Sequence, residues 1–175
     1  MSNLDSDPWF PRGTTLGVTA TDQGTGIVGT QRWFMDTTPA GVVNSNAPVK
    51  CIAMRNTSGG TLAAGTVVKA KTTALLSEVD GNATVDSPVV GVVDEYLTAA
   101  VANNDIFWLV VAGPTSATIG TGGVTQGNFV SIATGTVVAS VANKTFGVAL
   151  ATASAAALGR VLVGIGGYSS RVSTP

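Results

Sequence analysis

Histidine is absent from this 175-residue chain, and cysteine occurs once. Without histidine there is no Ser-His or Cys-His nucleophile pair, and the commonest protein metal ligand is missing as well. The lone Cys51 cannot close an internal disulfide; set between Lys50 and Ile52-Ala53, it reads as a small buried residue of a strand. Charge is equally scarce. Charged residues make up 11% of the chain and the net charge is −1, against a usual charged share of about 25%. Such a chain has no long-range field to draw it to nucleic acid or an acidic membrane, so neither is expected as a partner. The longest unbroken apolar run, Ile106 to Ala112, falls far short of the roughly 18 residues of a membrane span. The N-terminal Met1-Ser2-Asn3-Leu4-Asp5-Ser6-Asp7-Pro8 has early acids and no apolar stretch, which is not the pattern of a secretory signal.

The remaining polar residues offer little chemistry. Asp94-Glu95 is the only adjacent carboxylate pair, but neighbours on a strand point to opposite faces, which does not suit acid–base work on one substrate. Glu78, Asp80 and Asp86 lack the spacing of a calcium loop and read as a solvated turn. The glycine-rich stretch from Gly120 to Gly127 is followed by no Lys-Ser/Thr, so it is not a phosphate loop. Lys69 and Lys71 share one face of a strand, as residues that keep an edge soluble do. No catalytic residue, metal or cofactor is expected, and the chain is not expected to be an enzyme.

What the sequence has is valine, alanine, glycine and threonine. Valine favours strands because its branched side chain fits a pleated, half-buried surface, so the expected class is all-β with no long helix. The chain also repeats itself. Gly65-Thr66-Val67-Val68, Val89-Val90-Gly91-Val92-Val93 and Asp105-Ile106-Phe107-Trp108-Leu109-Val110-Val111-Ala112-Gly113 are echoed by Gly127-Asn128-Phe129-Val130, Thr145-Phe146-Gly147-Val148-Ala149 and Gly159-Arg160-Val161-Leu162-Val163-Gly164-Ile165-Gly166. The expected organisation is an extended arm over 1–45, a first barrel- or sandwich-like β module over 46–120, a shorter second one over 121–168, and a polar tail over 169–175. The unalternating run from Ile106 to Val111 predicts a central strand covered on both faces.

The arm is dense in Gly, Thr and Pro, with its apolar residues in two aromatic clusters, Trp9-Phe10 and Trp33-Phe34-Met35. A segment this sparse in apolar residues cannot offset its own ordering entropy, so it is expected to lie on another surface. An aromatic pair beside an arginine is the usual material of interface anchors. Trp9, Phe10, Arg12, Trp33 and Phe34 are the candidate interface residues, the alternative being that these aromatics fold back onto their own domain.

The glycine-opened strand Ala63-Ala64-Gly65-Thr66-Val67-Val68, the middle Val89-Val90-Gly91-Val92-Val93 and the late apolar strand closing in Gly113 resemble bacteriophage capsid decoration, or cement, proteins. The resemblance spans about residues 57–168 and is one of rhythm and composition. It implies a small β-rich protein that binds the outside of an assembled icosahedral head, often as a trimer or other homo-oligomer. Its partner would be the major capsid protein and its location the virion surface, with assembly in the host cytoplasm. The long aromatic-bearing arm and the Ala-rich second linker depart from that pattern. A fibre or adhesion module that binds carbohydrate or a host surface is the other reading that a Thr-, Ser- and Asn-rich surface allows.

Overall fold

The computed structural model describes residues 10–17, 27–38, 41–74, 77–84, 87, 89–140 and 145–164. The chain is all-β, with no helix among these residues. Eleven strands form: β1 Thr15–Leu16, β2 Gln31–Thr37, β3 Val43–Asn56, β4 Val67–Ala70, β5 Glu78–Asn82, β6 Val89–Val93, β7 Ile106–Thr118, β8 Phe129–Ala133, β9 Thr136–Ala139, β10 Gly147–Ala149 and β11 Leu158–Val163. They lie in one sheet in the order β2-β3-β5-β4-β6-β7-β11-β10-β8-β9, with β1 against β7. The ends of this sheet, β2 and β9, do not meet, so the sheet as a whole is not a closed barrel, and its two halves are joined through one strand.

The reason is the long strand β7. Its residues 106–112 pair antiparallel with β3 and its residues 113–118 pair antiparallel with β11. In the first half of the chain, pairing runs in a circuit: β3 to β5 (parallel, Asn56 beside Val79), β5 to β4, β4 to β6, β6 to β7, and β7 back to β3. The same circuit recurs with β7 as its first strand. Ile119 bridges Val137 in parallel, β9 pairs β8, β8 pairs β10, β10 pairs β11, and β11 returns to β7. By its pairing the second copy therefore begins inside β7, before position 121, and the arm gives way to sheet at β2, before position 45.

The correspondence extends to single bonds. Leu62 bridges Val101 as Val124 bridges Ala153. The amide of Gly65 donates to the Val93 carbonyl as that of Gly127 donates to Ala149. Both glycines have positive φ (76° and 83°), where L side chains are strained. Gly91 and Gly147 are glycines for a different reason: a Cβ on either would run into the backbone carbonyl of the facing strand, Val110 in one copy and Leu162 in the other. Gly113 has φ of 102°; its expected partner Gly166 lies outside the described residues.

Two cores result. Ile52, Met54, Leu62, Val68, Val79, Val93, Val101, Phe107 and Leu109 fill the inside of the first circuit. The other side of the same strands, with Cys51, Ala53, Val67, Val92, Ile106, Trp108 and Val110, belongs to a second cluster that continues into Val124, Val130, Val137 and Val161 of the second copy. Alternate residues of β7 thus enter different cores, which is why Ile106 to Val110 is apolar without alternation and buried throughout.

Candidate docking surface

Residues 10–17 lie on the protein's own sheet. The Phe10 ring stacks on Trp108 with centroids 4.9 Å apart, and the Trp108 indole N–H donates to the Phe10 carbonyl at 2.7 Å. An indole buried to 1% exposure needs both a cover and an acceptor, and this segment supplies the two together. Arg12 follows Phe10 inward. Its guanidinium donates to Asp94 Oδ1 at 2.7 and 3.1 Å, while Asp94 Oδ2 accepts from the Gly13 amide at 2.7 Å.

Asp94 opens a chain of charges. Glu95, next to it, lies 3.7 Å from Arg12 and accepts from Arg160 of β11 at 2.8 Å. Arg160 also donates to Asp36 of β2, which accepts from Ser45 Oγ at 2.6 Å. Arg12 lies 4.6 Å from the Tyr96 ring centroid, and the Tyr96 hydroxyl accepts from Asn44. Burial pushes the Tyr96 hydroxyl up in pKa, helped by the negative charge of Glu95. Burial opposes the charge of Arg12, but Asp94 outweighs it and the pKa rises. Arg160 rises likewise, held by hydrogen bonding to Asp36 and by the charge of Glu95. Two arginines and three carboxylates thereby join the N-terminal segment, β2, the β6–β7 connection and the second copy. Oppositely charged groups set against one another in this way fasten these four elements together.

That fastening orients β2. Phe34 and Asp36 point inward, Phe34 edge-on to Trp108 at 5.2 Å and Asp36 into the network. Strand alternation then turns Trp33 and Met35 outward, where they are 64% and 51% exposed. Across β3 they stand opposite Lys50 and Pro48, and Thr37 stands opposite the exposed Val43. Pairing of β3 with β7 begins at Lys50, so residues 43–48 of β3 are paired with β2 and project from the sheet as a two-stranded hairpin. Val42 and Val43 near its turn are 61% and 55% exposed.

Of the five candidate interface residues, the structure therefore brings Phe10, Arg12 and Phe34 to the protein's own core and leaves Trp33 on the surface; Trp9 lies outside the described residues. Phe10 and Arg12 fold back because Trp108 and Asp94, both far along the chain, need them. Sequence reading missed Met35, Val42 and Val43 as companions of Trp33, although the alternation of β2 carries that signal. Cys51 is buried, as expected, and burial pushes its thiol up to about 12. Among the described residues no group of three His, Cys, Asp or Glu is placed to hold a metal ion.

No family model matches the sequence, and no curated protein does. Among solved structures the chain is similar to the N base of the head fibre gp8.5 of bacteriophage phi29. The TM-score is 0.47 and the identity 14%, over 65% of this chain and 92% of that one.

Proposed function

We propose that this chain is a structural protein of a bacteriophage virion that sits on the outer surface of the assembled head and bridges neighbouring copies of the major capsid protein. The observation that carries this reading is the projecting β2–β3 hairpin, which holds Trp33, Met35, Val42 and Val43 in water while the network around Asp36 fixes its base. Large apolar side chains clustered on a rigid projection are the chemistry of a docking element, since a desolvated Trp contributes a few kcal/mol at an interface centre. The resemblance of the sequence rhythm to that of capsid decoration proteins supplies the partner class, and a charged share of 11% leaves few charges for an electrostatic interface.

The test is retention on washed, DNA-filled heads. At 1 M salt the Debye length is about 3 Å, so an interface resting on charge loosens there while an apolar one holds. The expected results are retention in high salt, loss of binding by a Trp33→Ala, Met35→Ala variant that keeps the wild-type melting temperature, and greater heat resistance of decorated heads. Release by salt alone, or full binding by the double variant, overturns the reading. Binding of the detached protein to host cells or glycans, with no effect on heads, would make it a fibre or adhesion module instead.

A further inference from the structure

The sheet ends in a last strand on either side, and the chain treats the two ends differently. At β9 it covers its own edge: Ile119 bridges Val137 in parallel, and the Gly120 amide donates to the Val137 carbonyl at 2.7 Å. At the other end β2 belongs to neither circuit and, among the described residues, pairs with β3 alone.

Register decides which main-chain groups lie on that edge. In an antiparallel pair alternate residues turn their N–H and C=O to the partner, and the residues between turn theirs away. The Ala53 amide donates to the Thr30 carbonyl at 2.9 Å, and Cys51 and Val49, opposite Arg32 and Phe34, follow Ala53 at steps of two. Gln31, Trp33 and Met35 therefore aim their main chain outward. Pro48 agrees with this register, since it stands opposite Met35, where β3 has no N–H to give to β2. The Met35 carbonyl accepts from the Thr37 hydroxyl at 3.5 Å; among the described residues no other hydrogen bond reaches the outward main-chain groups of these three. The edge stops at the bulge between Met35 and Thr37, where Asp36 turns into the charge network. Over the five residues before it, about 17 Å of strand, the three outward residues carry neither the charge nor the proline that ordinarily guards an edge.

We propose that the hairpin is recognised by strand addition: an extended segment of the partner protein pairs along β2 with the outward amides and carbonyls of Gln31, Trp33 and Met35. The proposal rests on the reading of this hairpin as the docking element and names the form of what it takes. Two observations carry the choice of occupant. Donors and acceptors side by side at every second residue are matched in number and spacing by a main chain in the extended conformation. Desolvating Trp33 and Met35 at an interface also takes their own N–H and C=O groups out of water, and a buried group left without a partner is costly, so contact through side chains alone would be self-defeating here. The added strand lays alternate side chains on the face that carries Trp33 and Met35, which calls for apolar residues at those positions.

The experiment is amide hydrogen exchange of the full chain, in solution and on washed, DNA-filled heads, read residue by residue, together with head binding by two variants. In solution the amides of Gln31, Trp33 and Met35 should exchange fast and those of Arg32 and Phe34 slowly; on heads all five should be slow. Gln31→Pro removes one outward donor from an edge strand and should weaken head binding about tenfold or more at an unchanged melting temperature, whereas Gln31→Ala, which keeps the amide, should stay within about twofold of wild type. If Gln31→Pro does not fold, the exchange measurement decides alone. Outward amides that exchange as fast on heads as in solution, or a folded Gln31→Pro that binds as the wild type does, overturn strand addition and leave docking through the side chain of Trp33 standing. A wild type that does not bind heads overturns both readings. Protection of the outward amides that grows with concentration in the absence of heads assigns the edge to a second copy of the chain, and overturns the proposal too.

Discussion

Single residues show how one architecture accommodates two side-chain sets. Phe107 in the first core corresponds to Gly159 in the second, which by itself would leave a void. Asn56, which donates to the carbonyls of Gly60, Val101 and Ala102, corresponds to Ile119, whose Cδ1 lies where a Gly159 Cβ would be. The aromatic lost from one strand is thus replaced by an aliphatic gained on its neighbour. Gly159→Ala should destabilise the protein by about 1–3 kcal/mol through overpacking, measured by urea unfolding, and the Ile119→Val background should recover part of the loss. Gly91→Ala and Gly147→Ala, which push a methyl into a facing backbone carbonyl, should each cost about 3 kcal/mol, because backbone cannot step aside. Cys51 makes a prediction about pH. Its thiol rises from an ordinary value of 9.0 to about 12 on burial. Below pH 9.0 it is protonated in both states and adds nothing to the slope; between 9.0 and about 12 the unfolded chain ionises and the folded one does not, so stability falls with rising pH. Cys51→Ala should flatten the alkaline limb of the stability curve, and a native thiol that reacts with a thiol reagent at pH 8 as fast as an unfolded one would contradict this.

Elements explain what sequence reading could and could not see. The central place of β7 was legible, because a run apolar at every position has nowhere to go but between two cores. The strand-turn-strand rhythm was legible for the same local reason: Gly65 and Gly127 open strands, and Gly91 and Gly147 sit at close approaches. The shared strand was not legible, since a boundary inside an uninterrupted strand leaves no turn to mark it. Folding back of Phe10 was one of the two readings the sequence left open, but its partner and that of Arg12 were not legible, since Trp108 and Asp94 lie 98 and 82 residues away. The second copy shows what the Arg12–Asp94 pair replaces, for Leu150 stands at the position of Asp94. Arg12→Ala strands a buried carboxylate and should cost about 3–5 kcal/mol, whereas Arg12→Met combined with Asp94→Leu should lie within about 1–2 kcal/mol of wild type. A double-mutant cycle in thermal unfolding checks this, and a double variant as unstable as Arg12→Ala would mean that the pair is needed for more than mutual neutralisation.

At the scale of the whole molecule, the two copies cannot be parted. A fragment beginning at position 121 lacks the strand that completes its own circuit, so it should be unfolded by circular dichroism, while one beginning at position 113 keeps that strand. The intact chain should melt in a single transition by every probe, because neither core persists once β7 leaves the other. Strand β7 also sets how the molecule carries load. Along residues 106–112 it is bonded to β3 and along residues 113–118 to β11. Tension applied along β7 therefore runs lengthwise through these two ladders, loading many hydrogen bonds in shear at once instead of peeling them one by one. Resistance to such pulling is a matter of unfolding rate and not of equilibrium stability, and a protein built this way yields late and all at once, as a rivet does.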